Sequence, residues 1–283
     1  KAQKIAYIPG GIYNVRGGYS LLKTTNLHVA LPYLLEILVP KFLIVNKLKR
    51  IGFKHLITFS DYTSSISVKS GWTNRIITVL PGKDEFNTLF PDNEYLNKYN
   101  LAGKKYYLFM GAPAEIRGSL QLLQAFDRFA NRNPEALLVF LLRKDNHSKF
   151  ENFYDEYNLL KNKRRVIIIE EKLNPAQLKS FVDSCRAVIL PFLLIPSEIP
   201  LTYFEVLSCG TPIITYKNGG TYRYLQDCVL ACKPGSVRGL AYLMSDLWLD
   251  NQLRNNLSQL ALKKMEKHPT WEKTSQEWIK SIY

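Results

Sequence analysis

Short, continuous apolar runs alternate with helical patterns through the second half of this chain, and that alternation limits its fold more than any other feature. The runs are residues 106–110, 137–142, 166–169, 187–192 and 213–216. A helical pattern covers 118–130, where Leu120, Leu122, Leu123, Phe126 and Phe129 share one side. Another covers 175–184, with Pro175 in its first turn. Strands that are apolar on both faces and separated by helices predict a parallel, doubly wound sheet. Further helical patterns occupy 237–267, and residues 270–283 read as an amphipathic terminal helix.

The first half holds fewer elements. Its opening, KAQKIAYIPGG, reads as a buried strand running into a glycine turn. A chain that opens on a core strand is expected to lack its earlier elements. Residues 54–60 read as a strand followed by the helix start DYTSS, and 75–80 as a strand closing on Pro81-Gly82-Lys83. Residues 83–104 are polar and aperiodic, which places a boundary there. The expected division is a partial N-terminal domain at 1–84, a second domain at 85–269 and a terminal helix at 270–283. A length of 283 residues accommodates two such cores.

The apolar stretch 29–50 is interrupted by Pro32, Glu36, Pro40 and Lys41, so it cannot cross a bilayer as one helix. Two readings stay open. It is an interfacial segment with Lys41, Lys47, Lys49 and Arg50 toward anionic headgroups, or a pair of helices packed on a sheet.

Charge narrows the partners. Lys plus Arg is 38 against 24 for Asp plus Glu, a formal net charge of +14. Such basicity favours nucleic acid, an acidic membrane surface or a phosphorylated substrate. No aromatic-basic motif of a nucleic-acid reader accompanies it, so no nucleic-acid partner is expected. The four cysteines include Cys228 and Cys232, but no second Cys/His pair at zinc spacing, so no metal site is expected. Three of the four sit beside apolar runs, which fits reduced, buried thiols. With no signal-peptide pattern at the start, the expected location is cytoplasmic, peripheral on the inner membrane face if the 29–50 segment is interfacial.

In an open parallel sheet, ligands bind beyond the carboxyl ends of the strands. Three segments converge there: GAPAEIRG at 111–118, Glu170-Glu171-Lys172, and PSEIPLTYFEVLSCGTPIIT at 196–215. The last sets Glu198 and Glu205 on either side of a turn into a short helix. A helix N-terminus offers free N–H groups and a positive dipole end, which suit a phosphate. A carboxylate one turn inside it can accept from two adjacent hydroxyls, such as those of a ribose. Arg117 could fork onto a diphosphate.

These segments, in this order, resemble the donor-binding domain of the family 4 retaining glycosyltransferases, which have the two-domain GT-B fold. Asn218-Gly219-Gly220 takes the place of that family's later Gly-Gly, and TWEKTSQEWIKSIY resembles its terminal helix, which crosses back to the N-terminal domain. The stretch HLITFSDYTSSISVKSG…ITVLPGKDEF resembles the end of its N-terminal domain and the interdomain linker. The resemblance implies an α/β chain of two Rossmann-like domains, the N-terminal one incomplete. It implies transfer of a sugar from a nucleoside-diphosphate donor, UDP- or GDP-linked, to an acceptor hydroxyl with retention, and without a metal or other cofactor. With the charge, it points to a glycan or lipid-linked acceptor.

The residues carry over one by one. Glu205 matches the glutamate that holds the ribose, and Leu201, Thr202 and Tyr203 lie where backbone amides meet the diphosphate. Glu198 takes the place of the glutamate facing the transferred sugar, with six residues before Glu205 where the family has seven. Arg117 stands at the family's phosphate-binding lysine, so Glu198 and Arg117 are the expected catalytic pair. Ala112 stands where an arginine is usual, and Arg143 is the expected substitute. Gly111 and Lys172 complete the expected donor contacts. Pro9 stands where the family often has a histidine near the reacting sugar. The alternatives are a non-catalytic nucleotide-sugar-binding fragment, or another GT-B enzyme such as an epimerase or phosphorylase.

Overall fold

A computed structural model describes residues 4–8, 31, 38–143, 150–194 and 197–282. Pro9 and its glycine-rich loop, Pro32, Glu36 and Pro196 lie outside the described residues.

The first half forms a three-stranded sheet. Strand β1 (Ile5–Ile8) pairs in parallel with β2 (His55–Thr58), which pairs in parallel with β3 (Arg75–Thr78). Helix α1 (Lys41–Ile51) precedes β2 and ends on Gly52 in the left-handed region. Of the open readings for 29–50, its described end is therefore helical. Helix α2 (Asp61–Lys69) lies between β2 and β3. Ser60 caps it, its Oγ accepting from the Tyr62 and Thr63 amides at 3.1 and 3.3 Å. Ala6, Val45, Leu56 and Trp72 make a small core beneath this sheet.

The connection is mostly irregular, with a 3₁₀ turn at Phe86–Thr88 and short helix α3 (Glu94–Lys98). The alternation of the second half then appears as β4 (Tyr106–Gly111), α4 (Ser119–Ala130), β5 (Leu137–Leu142), α5 (Glu151–Leu159), β6 (Val166–Ile169), α6 (Pro175–Ser184) and β7 (Ala187–Leu190). It continues as α7 (Leu201–Ser208), β8 (Ile213–Tyr216), α8 (Gly219–Leu225) and β9 (Leu230–Cys232), then α9 (Val237–Leu249), α10 (Asn251–Glu266) and α11 (Trp271–Ile282). The helical pattern at 237–267 is thus two helices, broken where the Asp250 side chain caps α10. Helices α5 and α8 and edge strand β9 have no counterpart in the sequence reading. Helix α5 buries a single residue, Phe153, and α8 opens on two glycines, which are poor helix formers.

The six strands are all parallel, in the order β6-β5-β4-β7-β8-β9. Both faces are covered, as the continuous apolar runs require. On β4, Tyr107 and Phe109 join Leu122, Phe126, Phe129, Leu240 and Trp248 on one face. Tyr106, Leu108 and Met110 join Phe181, Tyr203, Phe204 and Met265 on the other. Progression runs outward from β4 through β5 to β6, and from β7 through β8 to β9. The switch falls between β4 and β7, so the crevice opens at their carboxyl ends.

The two sheets are tied where residues 79–83 pass beside 265–274. The Lys83 amide donates to the Pro269 carbonyl at 3.0 Å, and the Thr274 hydroxyl to the Leu80 carbonyl at 3.1 Å. Beyond that crossing, Trp278 of α11 meets Tyr7 of β1 edge to face, with ring centroids 4.8 Å apart.

Candidate functional site

Two loops build the cation-rich end of the crevice. After β4 the chain turns through Gly111, at φ 121°, into a 3₁₀ turn, Glu115–Arg117. The Arg117 guanidinium folds back over Gly111 so closely that a Cβ there would overlap Nη1. Glycine therefore makes the room in which the arginine lies. The turn hangs from the loop after β7, since Leu193 and Leu194 both donate to the Ile116 carbonyl, at 2.8 and 3.1 Å. That loop presents buried Phe192, whose ring centroid lies 5.6 Å from Arg117 Cζ. Asn218, at the start of α8, fastens the loop from the other side, its Nδ2 donating to the Phe192 and Leu193 carbonyls at 2.8 Å each.

Arg143 brings a second cation to the same place. Its amide donates to the Gly111 carbonyl at 3.2 Å, and its side chain is exposed. Burial first, and the neighbouring Arg143 charge second, pull the Arg117 pKa down. No carboxylate among the described residues bonds to Arg117 to offset this.

Helix α7 adjoins through Phe192, which meets the Tyr203 ring at 5.9 Å. The Tyr203 hydroxyl bonds the Leu190 carbonyl and Thr215 Oγ1, at 3.1 and 2.8 Å, fixing α7 on β7 and β8. Its amide is already given to the Pro200 carbonyl at 3.1 Å. Tyr203 therefore anchors α7 by its side chain. The Leu201 and Thr202 amides have no acceptor among the described residues, and Pro200 supplies no side-chain cap. Free amides, the helix dipole and a half-buried guanidinium together favour an anion with several acceptor oxygens.

Glu205 is half-buried one turn into α7. Burial, with a smaller push from Asp84, raises its pKa. Glu198 is 3% exposed and turned toward the first half of the chain. Its Oε1 accepts from Ser60 Oγ, and Thr63 lies beside it. Burial nevertheless pushes its pKa up, and Oε2 has no aligned donor. Lys172 is exposed past the end of β6, and among the described residues no hydrogen bond or ion pair joins it to the arginine pair. The neighbouring Glu171 accepts from Lys98 Nζ at 2.8 Å and the Tyr99 hydroxyl at 2.7 Å, which draws its pKa down to about 2.

The structure thus gathers Gly111, Arg117 and Arg143, and reaches Leu201, Thr202 and Tyr203 through Phe192. Phe192 and Ser60 are the residues that sequence reasoning missed, and Asn218 was read as part of the Asn-Gly-Gly motif without its role as the loop's anchor. Ser60 was readable as a helix cap before Asp-Tyr-Thr, but its partner lies 138 positions away. The four cysteines are free, and burial holds the Cys209 and Cys232 thiols up near about 12. Among the described residues no three His, Cys, Asp or Glu side chains cluster to hold a metal, and no helix is long and apolar enough to cross a membrane.

The family model for glycosyl transferases group 1 matches residues 92–264. The spore coat protein SA of Bacillus subtilis is 22% identical over 208 residues, 67% of this chain and 51% of that protein. The putative glycosyltransferase YtcC of the same organism is 26% identical over 184 residues, 61% of this chain and 43% of that protein. The chain therefore spans about half the length of these curated relatives. The crystal structure of Anabaena Alr3699/HepE in complex with UDP superposes with a TM-score of 0.75 at 14% identity, covering 99% of this chain and 72% of that one. A complex of HepE with UDP-glucose superposes at 0.73. At this identity the likeness establishes the fold, which is α/β with parallel sheets and matches GT-B glycosyltransferases.

Proposed function

The chain belongs to the glycosyl transferases group 1 family, and from that premise we propose that it is a retaining glycosyltransferase of the family 4 type using a nucleoside-diphosphate sugar. The observation that carries this reading is Arg117: a half-buried guanidinium beside a second cation, with no anion among the described residues. A charge in that setting is costly until an anionic ligand completes it. The diphosphate would lie against Arg117, Arg143 and the Leu201 and Thr202 amides, with Gly111 leaving room. Glu205 would accept the ribose hydroxyls. Lys172 would meet the donor from the outer rim. The UDP and UDP-glucose complexes of HepE support a uridine donor over a guanosine one.

In the reaction the acceptor hydroxyl attacks the anomeric carbon while the bond to the β-phosphate oxygen breaks. The hydroxyl proton leaves to the departing phosphate. Arg117, the free amides and the α7 dipole stabilise the charge that develops there, which a metal would otherwise do. Residues 1–84 would form the acceptor side, 85–269 the donor side, and 270–283 the helix returning to the first. Titration calorimetry with millimolar UDP-, GDP- and ADP-sugars tests the reading. One donor should bind and then support transfer; silence across all three sinks it.

The acceptor is assigned to glycans or lipid-linked sugars at an anionic, cytoplasmic membrane face. The support is α1, which exposes Phe42 and Leu43 by 53% and 50% next to Lys47, Lys49 and Arg50. Sedimentation with liposomes containing anionic lipid should show salt-sensitive binding. Replacing Lys47, Lys49 and Arg50 together by Glu should lower it at least about tenfold, at about 1 kcal/mol per basic residue near the surface. Binding unchanged by the triple substitution removes α1 from that role.

A further inference from the structure

Glu198 differs from the rest of the site in having its partners on the other sheet. Its Oε1 accepts from Ser60 Oγ, and that same Oγ accepts the first amides of α2. The Ser60 hydroxyl thus passes the positive end of α2 to a carboxylate 138 residues away. On the opposite side lies the first turn of α8. A Cβ on Gly220 would stand 2.8 Å from both Glu198 Cδ and Ser60 Oγ, so carboxylate and hydroxyl rest together on bare backbone. The Thr221 hydroxyl donates to the Glu198 carbonyl. The Tyr62 ring lies 3.6 Å from where a Cβ of Gly219 would be. The carboxylate is therefore clamped between the N-termini of two helices, one from each sheet.

The start of α8 holds both ends of the loop after β7. Asn218 bonds its beginning at Phe192 and Leu193, and Thr221 bonds its end at Glu198. The beginning also carries the Arg117 turn through the Ile116 carbonyl. A rotation of the first sheet that pulled Ser60 away would remove the donor from a buried carboxylate at the far end of this same loop.

We propose that Glu198 is a positioning residue, a latch that bonds Ser60 and holds the two sheets at the relative orientation in which the donor loop is formed. The latch replaces contact with the transferred sugar as the work of this carboxylate. Its activity arm rests on the sugar-nucleotide reading; its stability arm does not.

Two measurements on the full chain test it. In thermal unfolding of the free protein, Glu198→Ala and Ser60→Ala should each lower Tm, and the double variant should fall no further than the worse single one. Glu198→Gln keeps an oxygen for the Ser60 hydroxyl and should retain most of the Tm. With a donor in hand, Glu198→Ala and Ser60→Ala should each lower kcat about tenfold while nucleotide affinity changes less than about twofold, and Glu198→Gln should keep about half the rate or more. A Gln variant as inactive as the Ala variant, with Ser60→Ala silent, would place the carboxylate on the sugar and overturn the latch. Additive Tm losses overturn it as well. A failure to bind any donor, with coupled Tm losses, overturns the proposed function and leaves the latch standing.

Discussion

Arg117 and Glu198 are held by the same loop, the first half-buried and the second buried, yet they are treated in opposite ways. Glu198 has a hydroxyl aimed at it, a second one beside it and helix termini on two sides. Arg117 has an aromatic face below, a like charge beside it and no anion among the described residues. A buried charge left without a partner costs several kcal/mol, so a fold keeps one only where something else completes it. The difference separates a group that belongs to the architecture from a group waiting on a ligand.

The hardest test of that contrast is to remove the unpartnered cation. Arg117→Met keeps the stem over Phe192 and deletes the charge. Nucleotide affinity should fall about 100-fold, near 3 kcal/mol, as for truncation of one member of a desolvated charge pair. The Tm of the free protein should hold or rise, because a desolvation cost disappears with the charge. Calorimetry and a thermal melt on one sample read both. A Tm several degrees lower, with binding intact, would make Arg117 a structural residue and erase the contrast with Glu198.

A second buried titratable group sharpens the architectural side. His268 is 3% exposed, with Nε2 against the Pro81 carbonyl and Nδ1 against the Tyr224 hydroxyl, each at 2.8 Å. One neutral tautomer satisfies both, with Nε2–H donating and Nδ1 accepting. Burial pulls its pKa down to about 4, and Lys83 and Lys264 add to the shift. Between pH 6.5 and 4 the unfolded chain takes a proton that the folded one refuses. Stability contributed by this site is therefore complete above pH 6.5 and is lost as the pH falls, by about 2–3 kcal/mol at pH 4.5. The Tm drop from pH 7 to 4.5 should be several degrees smaller in His268→Gln than in the parent. Equal drops would mean that the crossing of residues 79–83 and 265–274 does not depend on a neutral His268.

How far the sequence discloses these roles depends on the range of the interaction. Local alternation was enough for β4 to β8 and the helices α4 and α6, because their apolar periodicity is set by burial on both faces. The segment after β7 was legible as a helix start with carboxylates around it. Its side-chain directions were not. Tyr203 reads as part of a diphosphate turn, but with Phe204 and Leu207 it faces the core, and its amide closes onto Pro200. Phe192 reads as the last residue of a strand; only the switch between β4 and β7 brings Arg117 over it. Ser60 and Glu198 each look ordinary alone. Their bond depends on how two sheets meet, and no periodicity or spacing encodes that. The one hint was the six-residue gap before Glu205, which sets Glu198 out of the family's register.

Arg143 gives the smallest effect and the finest cut. It shares the pole with Arg117 but is exposed, so water and salt screen what it contributes. Arg143→Ala should weaken nucleotide binding about three- to tenfold at low ionic strength. Near 1 M salt, where the screening length is about 3 Å, the loss should shrink toward nothing. The loss at Arg117 should persist there, because a guanidinium packed on Phe192 meets its phosphate out of reach of most counterions. Equal salt dependence at the two positions would mean that both act through solvent at a distance, and that burial of Arg117 does not distinguish it as the group the ligand completes.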